Sequence, residues 1–455
     1  MDLLAGLGAI LPEARLASGG EDLRRHGGGV FTYHAPALPD AVVYPESRDE
    51  VVEILRFANE HRIPIVPFGQ GSSLEAHTIP VHGGISLDLG RMSRILEVRP
   101  DDFIARIQPG LTHGTLNAAL AEHGLLFPVD PGWDASLGGM AGTNASGTNA
   151  VRYGVMRDQV LGLEAVLGDA TMIRTGGMAM KSSAGYNLTG LFVGSEGTLG
   201  VFTELILRLY PIPERTVAAR AVFPSIEAAG RAAVAMIRTG MGIGRVELVD
   251  AGTVGAVNAY KDTDYAVAPT LFLEFSGSEA SVEDDVEVAR QTSASEGSSF
   301  EVEADEEARE KLWEARHDAA LAIRDLYPGM GMMTTDVCVP ISDLPDALRH
   351  ARDTIESRGL DGVILGHVGD GNYHAVFPVE TGDDADQERA EAVNAEIVDY
   401  ALQRGGTCTG EHGIGLGKTG HLQREHGDSL PLMREIKRIV DPNDIMNPGK
   451  IFSRE

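Results

Sequence analysis

The sequence predicts an α+β protein of at least two domains, and three observations carry that reading. From Ala41 onward, short β-branched runs alternate with stretches whose apolar residues recur at helical spacing. After Pro211-Ile-Pro213 the pattern changes to longer helices interleaved with longer strands. The last segment, from Leu430, reads as one helix followed by a turn carrying a Pro-Asn and an Asn-Pro pair. At 455 residues the chain can bury a large core without disulfides. We therefore divide it into an N-terminal helical segment (1–35), a first domain (36–212), a second α+β domain (213–420) and a C-terminal helical segment (421–455).

The elements follow in order. AVVYP at Ala41 is a strand, and Ser47 is placed to cap the helix RDEVVEILRFANEHR. IPIVP follows as a strand and runs into the loop FGQGSSLEAH. ISLDL and ARIQPG are strands, and LTHGTLNAALAEHG is a helix ended by Gly124. VLGLEAVLGDATMIRTG reads strand–turn–strand around Gly168-Asp169, and VFTELILRLY closes the first domain. In the second domain AARAVFP, TLFLEFSG and VILGHVGDGNYHAVFPV are strands. IEAAGRAAVAMIRTG, EEAREKLWEARHDAALAIRDL and ADQERAEAVNAEIVDYALQRG are helices.

Composition excludes several classes of function. The two cysteines, Cys338 and Cys408, form no C-x-x-C pair, so thiolate-built iron–sulfur and structural zinc sites are ruled out within the chain. No apolar run reaches the length of a membrane span, and Asp2 stands where a signal peptide would carry Lys or Arg, so a cytoplasmic protein is expected. The formal net charge of −29 argues against nucleic acid as a partner. Its acid excess sits in stretches such as Glu301–Glu307 and Thr381–Asp386, as in a halophilic protein adapted to molar salt; an ordinary acidic protein is the plainer alternative.

Three glycine-rich stretches are candidate ligand loops. Pro67-Phe68-Gly69-Gln70-Gly71-Ser72-Ser73 follows a strand and lacks both the G-x-G-x-x-G and the Gly-Lys-Ser/Thr fingerprints. Taken alone, such a loop is more often a plain turn. Pro131 to Asn144 is too small and polar for a core strand and too long for a tight turn, which suits a backbone that wraps a pyrophosphate. The third is Gly194-Ser195-Glu196-Gly197-Thr198-Leu199-Gly200-Val201.

The second domain holds another constellation. Asp370-Gly371 is a hairpin-turn signal that would bring His367 and His374 together from either side. With a carboxylate added, the pair makes a three-ligand divalent site; without one, it is two hydrogen-bonding histidines beside a turn. Gly410-Glu411-His412-Gly413 sets a carboxylate and an imidazole side by side between glycines.

In order along the chain, P-x-G-x-G-S-S, P-G-x-D-x-S-L-G-G-M-x-G-T-N-A-S-G, Y-G-x-M-R-D, K-x-x-A-G-Y-x-L and G-S-E-G-T-L-G-V resemble the FAD domain of the vanillyl-alcohol-oxidase type flavoproteins. G-H-x-G-D-G-N-x-H, then G-E-H-G-I-G, then N-P-G-K resemble, within that group, the FAD-linked D-lactate, glycolate and D-2-hydroxyglutarate dehydrogenases. The resemblance spans about 40–453. It implies a two-subdomain FAD-binding (PCMH-type) domain, an α+β substrate or cap domain, and a C-terminal helical segment returning to the flavin. It also implies that Pro67, Gly69, Gln70, Gly71, Ser72 and Ser73, with Pro131, Gly132, Ser136, Gly138, Gly139, Asn144 and Gly147, line the FAD pyrophosphate. Glu196, Gly200 and Val201 would lie near adenine and ribose, and Asn447 near the flavin ring. Gln70 stands where some relatives carry the histidine that bonds flavin, so FAD is expected to be non-covalent. His367, His374 and Glu411 would hold zinc or manganese, His412 would be the base, and Arg316 would bind the substrate carboxylate; a surface helix arginine is the alternative for Arg316.

The chemistry implied is oxidation of a short D-2-hydroxy acid, with electrons leaving to a quinone, a cytochrome, an electron-transfer flavoprotein or an iron–sulfur subunit. Such a protein would be cytoplasmic or peripheral at the inner membrane face, and a homodimer is compatible. Thr334, in the segment TTDVCVPIS, and Val376 depart from the Lys and Asn that relatives acting on D-2-hydroxyglutarate use, which favours D-lactate over a dicarboxylate, with glycolate next. Two rivals are an ether-lipid (alkylglycerone-phosphate) synthase-like transferase, which would need a basic phosphate pocket, and a non-catalytic flavin subunit.

Overall fold

The structure, a computed structural model, describes residues 2–29, 32, 34–303, 305–380 and 382–452. Two compact units emerge: residues 1–146, 154–212 and 411–455 form the first, and 147–153 with 213–410 the second.

The first unit holds two main sheets. In one, Leu16–Ala17, Ala41–Val43, Ile85–Asp88 and Ile65–Phe68 lie side by side, and the last three are parallel. Parallel neighbours need crossovers. The helix Arg48–His61 supplies one; Ser47 Oγ accepts from Glu50 N at 3.3 Å at its start, and Arg62 leaves it in the left-handed region. Val51, Ile54, Leu55 and Ala58 on one face of that helix are buried against Ala41, Val43, Ile65, Ile85 and Leu87. In the other sheet, Ile95–Arg99, Ile104–Ile107, Val201–Arg208, Val160–Val166 and Met172–Gly176 form an antiparallel run. Its core includes the helices His113–Ala121 and Leu137–Thr143. The C-terminal helix Leu430–Val440 packs Ile436 and Val440 onto that core. Beyond it, Met446 bridges in parallel to Ile65.

The second unit is one antiparallel sheet. Its order is Ser299–Val302, Arg215–Val222, Thr270–Gly277, Ile243–Val249, Val363–Gly366, Asn372–Val379 and Gly331–Thr334, with Val337–Cys338 pairing Asn372–Val379. Glu306–His317 and Ala319–Leu326 cover one face through Leu312, Trp313, Ala315, Ala319, Ala322 and Ile323. The short segment 147–153 belongs here because Asn149 Oδ1 accepts from Arg245 Nε at 2.8 Å and Arg152 Nη1 donates to Ser276 O at 2.6 Å.

Two local expectations are corrected. Leu137–Thr143 is a short helix ended by Asn144 at φ 53°, not an irregular loop: its Leu137, Met140 and Ala141 have a core to face, and that outweighs the helix cost of the glycines. The stretch from Glu306 to Leu326 is two helices broken at Asp318, whose N–H turns back to Glu314 O at 2.9 Å.

Candidate active site

The second unit brings His367 and His374 together. Val363–Gly366 and Asn372–Val379 pair antiparallel with Leu365 opposite His374, and Gly371 at φ 90° turns the chain between them. Gly366 has to be glycine, since a Cβ there would lie 2.5 Å from Tyr373 Cα. The two imidazole rings end 5.6 Å apart at 86° to one another. Their Nδ1 sides meet carboxylates. Glu247 Oε1 is 2.8 Å from His367 Nδ1, and Asp336 Oδ1 is 3.5 Å from His374 Nδ1. Both carboxylates are completely buried.

Registry explains why Glu247 is there. On the neighbouring strand Ile243–Val249, Leu248 pairs with Gly366, so Glu247 lies beside His367. The other oxygen of Glu247 pairs with Arg316 Nη2 at 2.6 Å. Arg316 is 8% exposed, which rules out a surface arginine, and its buried Nε has no hydrogen-bond partner among the described residues. Asp336 also accepts from Asn372 Nδ2 at 2.8 Å and Thr409 Oγ1 at 2.7 Å. Gly410 packs on the same Asn372 and Asp336 side chains. Glu411 and His412 follow Gly410 directly, Glu411 Cα about 3.8 Å further along the chain; both are half-buried. Thr334 and Val376 sit opposite each other across neighbouring strands, and Val376 shares a strand face with His374.

Sequence reading assigned nothing to Glu247 or to Asp336. For Glu247 the alternation misleads: in R-V-E-L-V, Arg245 and Glu247 fall on one face and Val246 and Leu248 on the other, which reads as a strand with a solvent-facing polar side. Asp336 lies between a strand end and a two-residue strand, where no period distinguishes it.

The first unit holds the glycine-rich stretches. Gly69 approaches Ser136 so closely that a Cβ would meet its Oγ at 2.2 Å, and Gly71 adopts φ 69°. Pro67, Ser72 and Ser73 are half-buried and Gln70 is exposed. Gly138 abuts Pro109, Gly139 is exposed, and Pro131 is half-buried beside the exposed Gly132. Gly147 is buried and begins the short segment of the second unit.

Several expected ligand residues prove to be engaged by the protein itself. Asn144 Oδ1 accepts from Arg157 N at 2.9 Å. Gly200 lies under Val166 O, and Val201 is a fully buried strand residue. Glu196 is buried with φ 54°. Its carboxylate accepts from Ile414 N at 2.7 Å and Gly415 N at 2.8 Å, with His77 Nε2 at 3.3 Å. Burial pushes that carboxyl up, but His77 and the two N–H donors outweigh it and hold it below the usual carboxylate range. Asn447 Nδ2 donates to His77 O at 3.0 Å and to Glu196 O at 2.7 Å.

Residues 212–451 match the family of FAD linked oxidases, C-terminal domain, and residues 39–176 match the FAD binding domain. The first match alone covers more than half of the chain.

The chain belongs to the FAD-linked oxidases.

FAD is thus the cofactor of this FAD-linked oxidase, as the loop motifs imply. Several relatives are similar over nearly the whole chain. A probable mitochondrial D-lactate dehydrogenase of Danio rerio is 44% identical over 95% of this chain and 88% of its own. A mitochondrial D-lactate dehydrogenase [cytochrome] of Arabidopsis thaliana is 40% identical over 99% and 80%. Glycolate oxidase subunit GlcD of Bacillus subtilis is 35% identical over 94% and 92%. Among solved structures, p-cresol methylhydroxylase with substrate bound superposes with a TM-score of 0.81 at 20% identity, covering 99% of this chain and 96% of that one. An alkyldihydroxyacetonephosphate synthase gives 0.75 at 20% identity, covering 98% and 84%. At such identities both show the fold alone, and it is the expected PCMH-type FAD fold.

The first unit of this oxidase fits FAD on its own observations. The Gly69 loop and Ser136, at the start of Leu137–Thr143, approach so closely that a Cβ at 69 would not fit. The buried hydroxyls of Ser73 and Ser195 have no partner among the described residues. Such hydroxyls, beside a glycine backbone that lets a ligand come close, suit the oxygens of a pyrophosphate.

Proposed function

We propose that the protein oxidises D-lactate to pyruvate and passes the electrons to a non-nicotinamide acceptor, with FAD held non-covalently. The observation that carries this reading is the cluster of the buried Arg316, Glu247 and His374 with the half-buried His367, which offers a carboxylate-binding cation beside two imidazoles. The D-lactate dehydrogenases among the relatives support it.

His367, His374 and Glu411 are the ligands we assign to a divalent zinc or manganese ion. Support comes from His367, whose Nδ1 lies on Glu247 Oε1 at 2.8 Å and so turns Nε2 to the other side, and from the His374 ring 5.6 Å away. Gly410, anchored on Asp336 and Asn372, also delivers Glu411 one residue later. Such a cation would lower the pKa of a hydroxyl beside it, and bound FAD would supply the acceptor for the hydride from C2. The residues do the rest. Arg316, with Nε unengaged, pairs with the substrate carboxylate and fixes its plane. His412 takes the hydroxyl proton. Thr334 and Val376 offer no cation to a second carboxylate, which disfavours D-2-hydroxyglutarate and leaves room for lactate or glycolate. Pro67, Gly69, Ser72, Ser73, Ser136, Gly138 and Gly139 are the groups we assign to the FAD pyrophosphate.

Among the described residues, no helix is long and apolar enough to cross a membrane. We read the enzyme as cytoplasmic, docking at a membrane face or on a cytochrome to discharge electrons, and its acidity as adaptation to molar salt.

The test is steady-state oxidation of D-lactate, L-lactate, glycolate and D-2-hydroxyglutarate by the FAD-loaded protein with a dye acceptor, with and without chelator. D-Lactate is expected to bleach the flavin and turn over fastest. Chelation should remove at least 90% of the rate, about the 10-fold that 1.4 kcal/mol represents. Preference for D-2-hydroxyglutarate, or turnover with NAD, would overturn the assignment.

A further inference from the structure

We propose that Glu247 is a positioning residue that holds His367 and Arg316 as one unit, so that cation binding and recognition of the substrate carboxylate depend on the same buried group. The proposal rests on the reading of His367 as a metal ligand.

Glu247 is fully buried, and its two oxygens are divided between two partners. Oε1 meets His367 Nδ1 at 2.8 Å and Oε2 meets Arg316 Nη2 at 2.6 Å. A buried carboxylate needs a compensating cation, and Arg316 lies against Glu247. A carboxylate at Nδ1 favours the imidazole tautomer that carries its proton there. With Nδ1 against Glu247, the ring turns Nε2 away from the strand Ile243–Val249, toward the side of His374. Carboxylates bound to ligand histidines raise the donor strength of the imidazole and commonly contribute 10–100-fold in metal affinity.

The other half of the contact acts on Arg316. With Nη2 on Glu247 and Nε unpartnered among the described residues, the guanidinium plane is fixed and one donor edge remains for a ligand. Arg316 sits on Glu306–His317 and Glu247 on a strand, so the pair also fastens that helix to the sheet beside the His367 turn. His374 has a weaker counterpart: Asp336 stands 3.5 Å from its Nδ1 and spends its oxygens on Asn372 and Thr409 as well. Glu247 is therefore the carboxylate that links a ligand histidine to the substrate arginine.

Glu247→Gln keeps the shape and removes the charge. The FAD-loaded protein is stripped with chelator, and Mn2+ affinity is measured by calorimetry in the absence of substrate; KM and kcat for D-lactate are then measured at saturating Mn2+. We expect Mn2+ affinity to fall by about 10–100-fold. KM is expected to rise by about 10-fold while kcat changes by less than about 3-fold, as uniform loss of carboxylate binding requires. Glu247→Asp restores the charge on a shorter arm and should recover part of both losses; it also serves should the Gln variant fail to fold. A folded variant with wild-type Mn2+ affinity and KM would overturn the role of Glu247 alone. Wild-type protein that binds neither Mn2+ nor Zn2+ would overturn the metal reading first.

Discussion

Glu196 holds a backbone angle, φ 54°, that few glutamates adopt, and the reason is the work its carboxylate does. It collects the N–H groups of Ile414 and Gly415, so one ionised side chain orders the loop that follows His412. Its pKa lies below the ordinary carboxylate value, so the folded protein binds fewer protons here than the unfolded chain. The stabilisation is therefore complete above the unfolded value of about 4.3 and is lost as pH falls through the lower folded value. Glu196→Gln is expected to cost about 2–4 kcal/mol at pH 7, the range for removing a charged acceptor from buried donors. The gap between variant and wild type should narrow as pH drops below about 5, read by fluorescence-monitored unfolding. A gap independent of pH would refute an ionised Glu196. Cys338 shows the opposite shift: burial first, then Asp370 and Asp336, push its thiol up to about 12, so it stays protonated and inert.

At the scale of elements, the site depends on strand registry. Leu248 against Gly366, and Leu365 against His374, set three strands so that Glu247, His367 and His374 converge. Gly366 is the tight point, because an added Cβ would lie 2.5 Å from Tyr373 Cα and 2.8 Å from Asn372 O, and neither is a flexible group. Gly366→Ala must therefore part the two strands. We expect a loss of about 1–3 kcal/mol in stability, the usual range for overpacking. The same change should remove at least about 10-fold of the Mn2+ affinity, since His367 moves away from His374. Calorimetric titration of Mn2+ alongside thermal unfolding checks both, and unchanged metal binding would show that registry does not set the site.

At the scale of the whole molecule the dominant fact is charge. With 67 acidic against 38 basic residues, the folded chain repels itself wherever its surface is not screened. Arg15 pairs with Glu46 and Glu50, and Arg106 with Glu97 and Glu204, yet acidic stretches such as Glu279–Ser295 carry many carboxylates and one arginine. The screening length falls from about 10 Å at 0.1 M salt to about 3 Å at 1 M. The thermal midpoint is therefore expected to climb steadily with KCl from about 0.1 M into the molar range. A midpoint that is flat or falls over that range would contradict salt adaptation.

The sequence by itself determined the α+β class, the change of architecture near Pro213, the hairpin around Asp370-Gly371 and the cofactor family. Each of these is written in local order: periodicity, turn chemistry and motifs read along the chain. It did not disclose that Leu137–Thr143 is helical, because glycine-rich composition reads as loop until a neighbouring core rewards Leu137, Met140 and Ala141 for facing it. Nor did it disclose Glu247, which is 120 residues from His367 and 69 from Arg316 along the chain. Only the tertiary structure decides which strand lies beside which, and a carboxylate acquires its role from the imidazole and guanidinium that registry puts against it. For the same reason Asn144, Glu196 and Asn447, read from motifs as ligand residues, turned out to spend their side chains on the protein's own backbone.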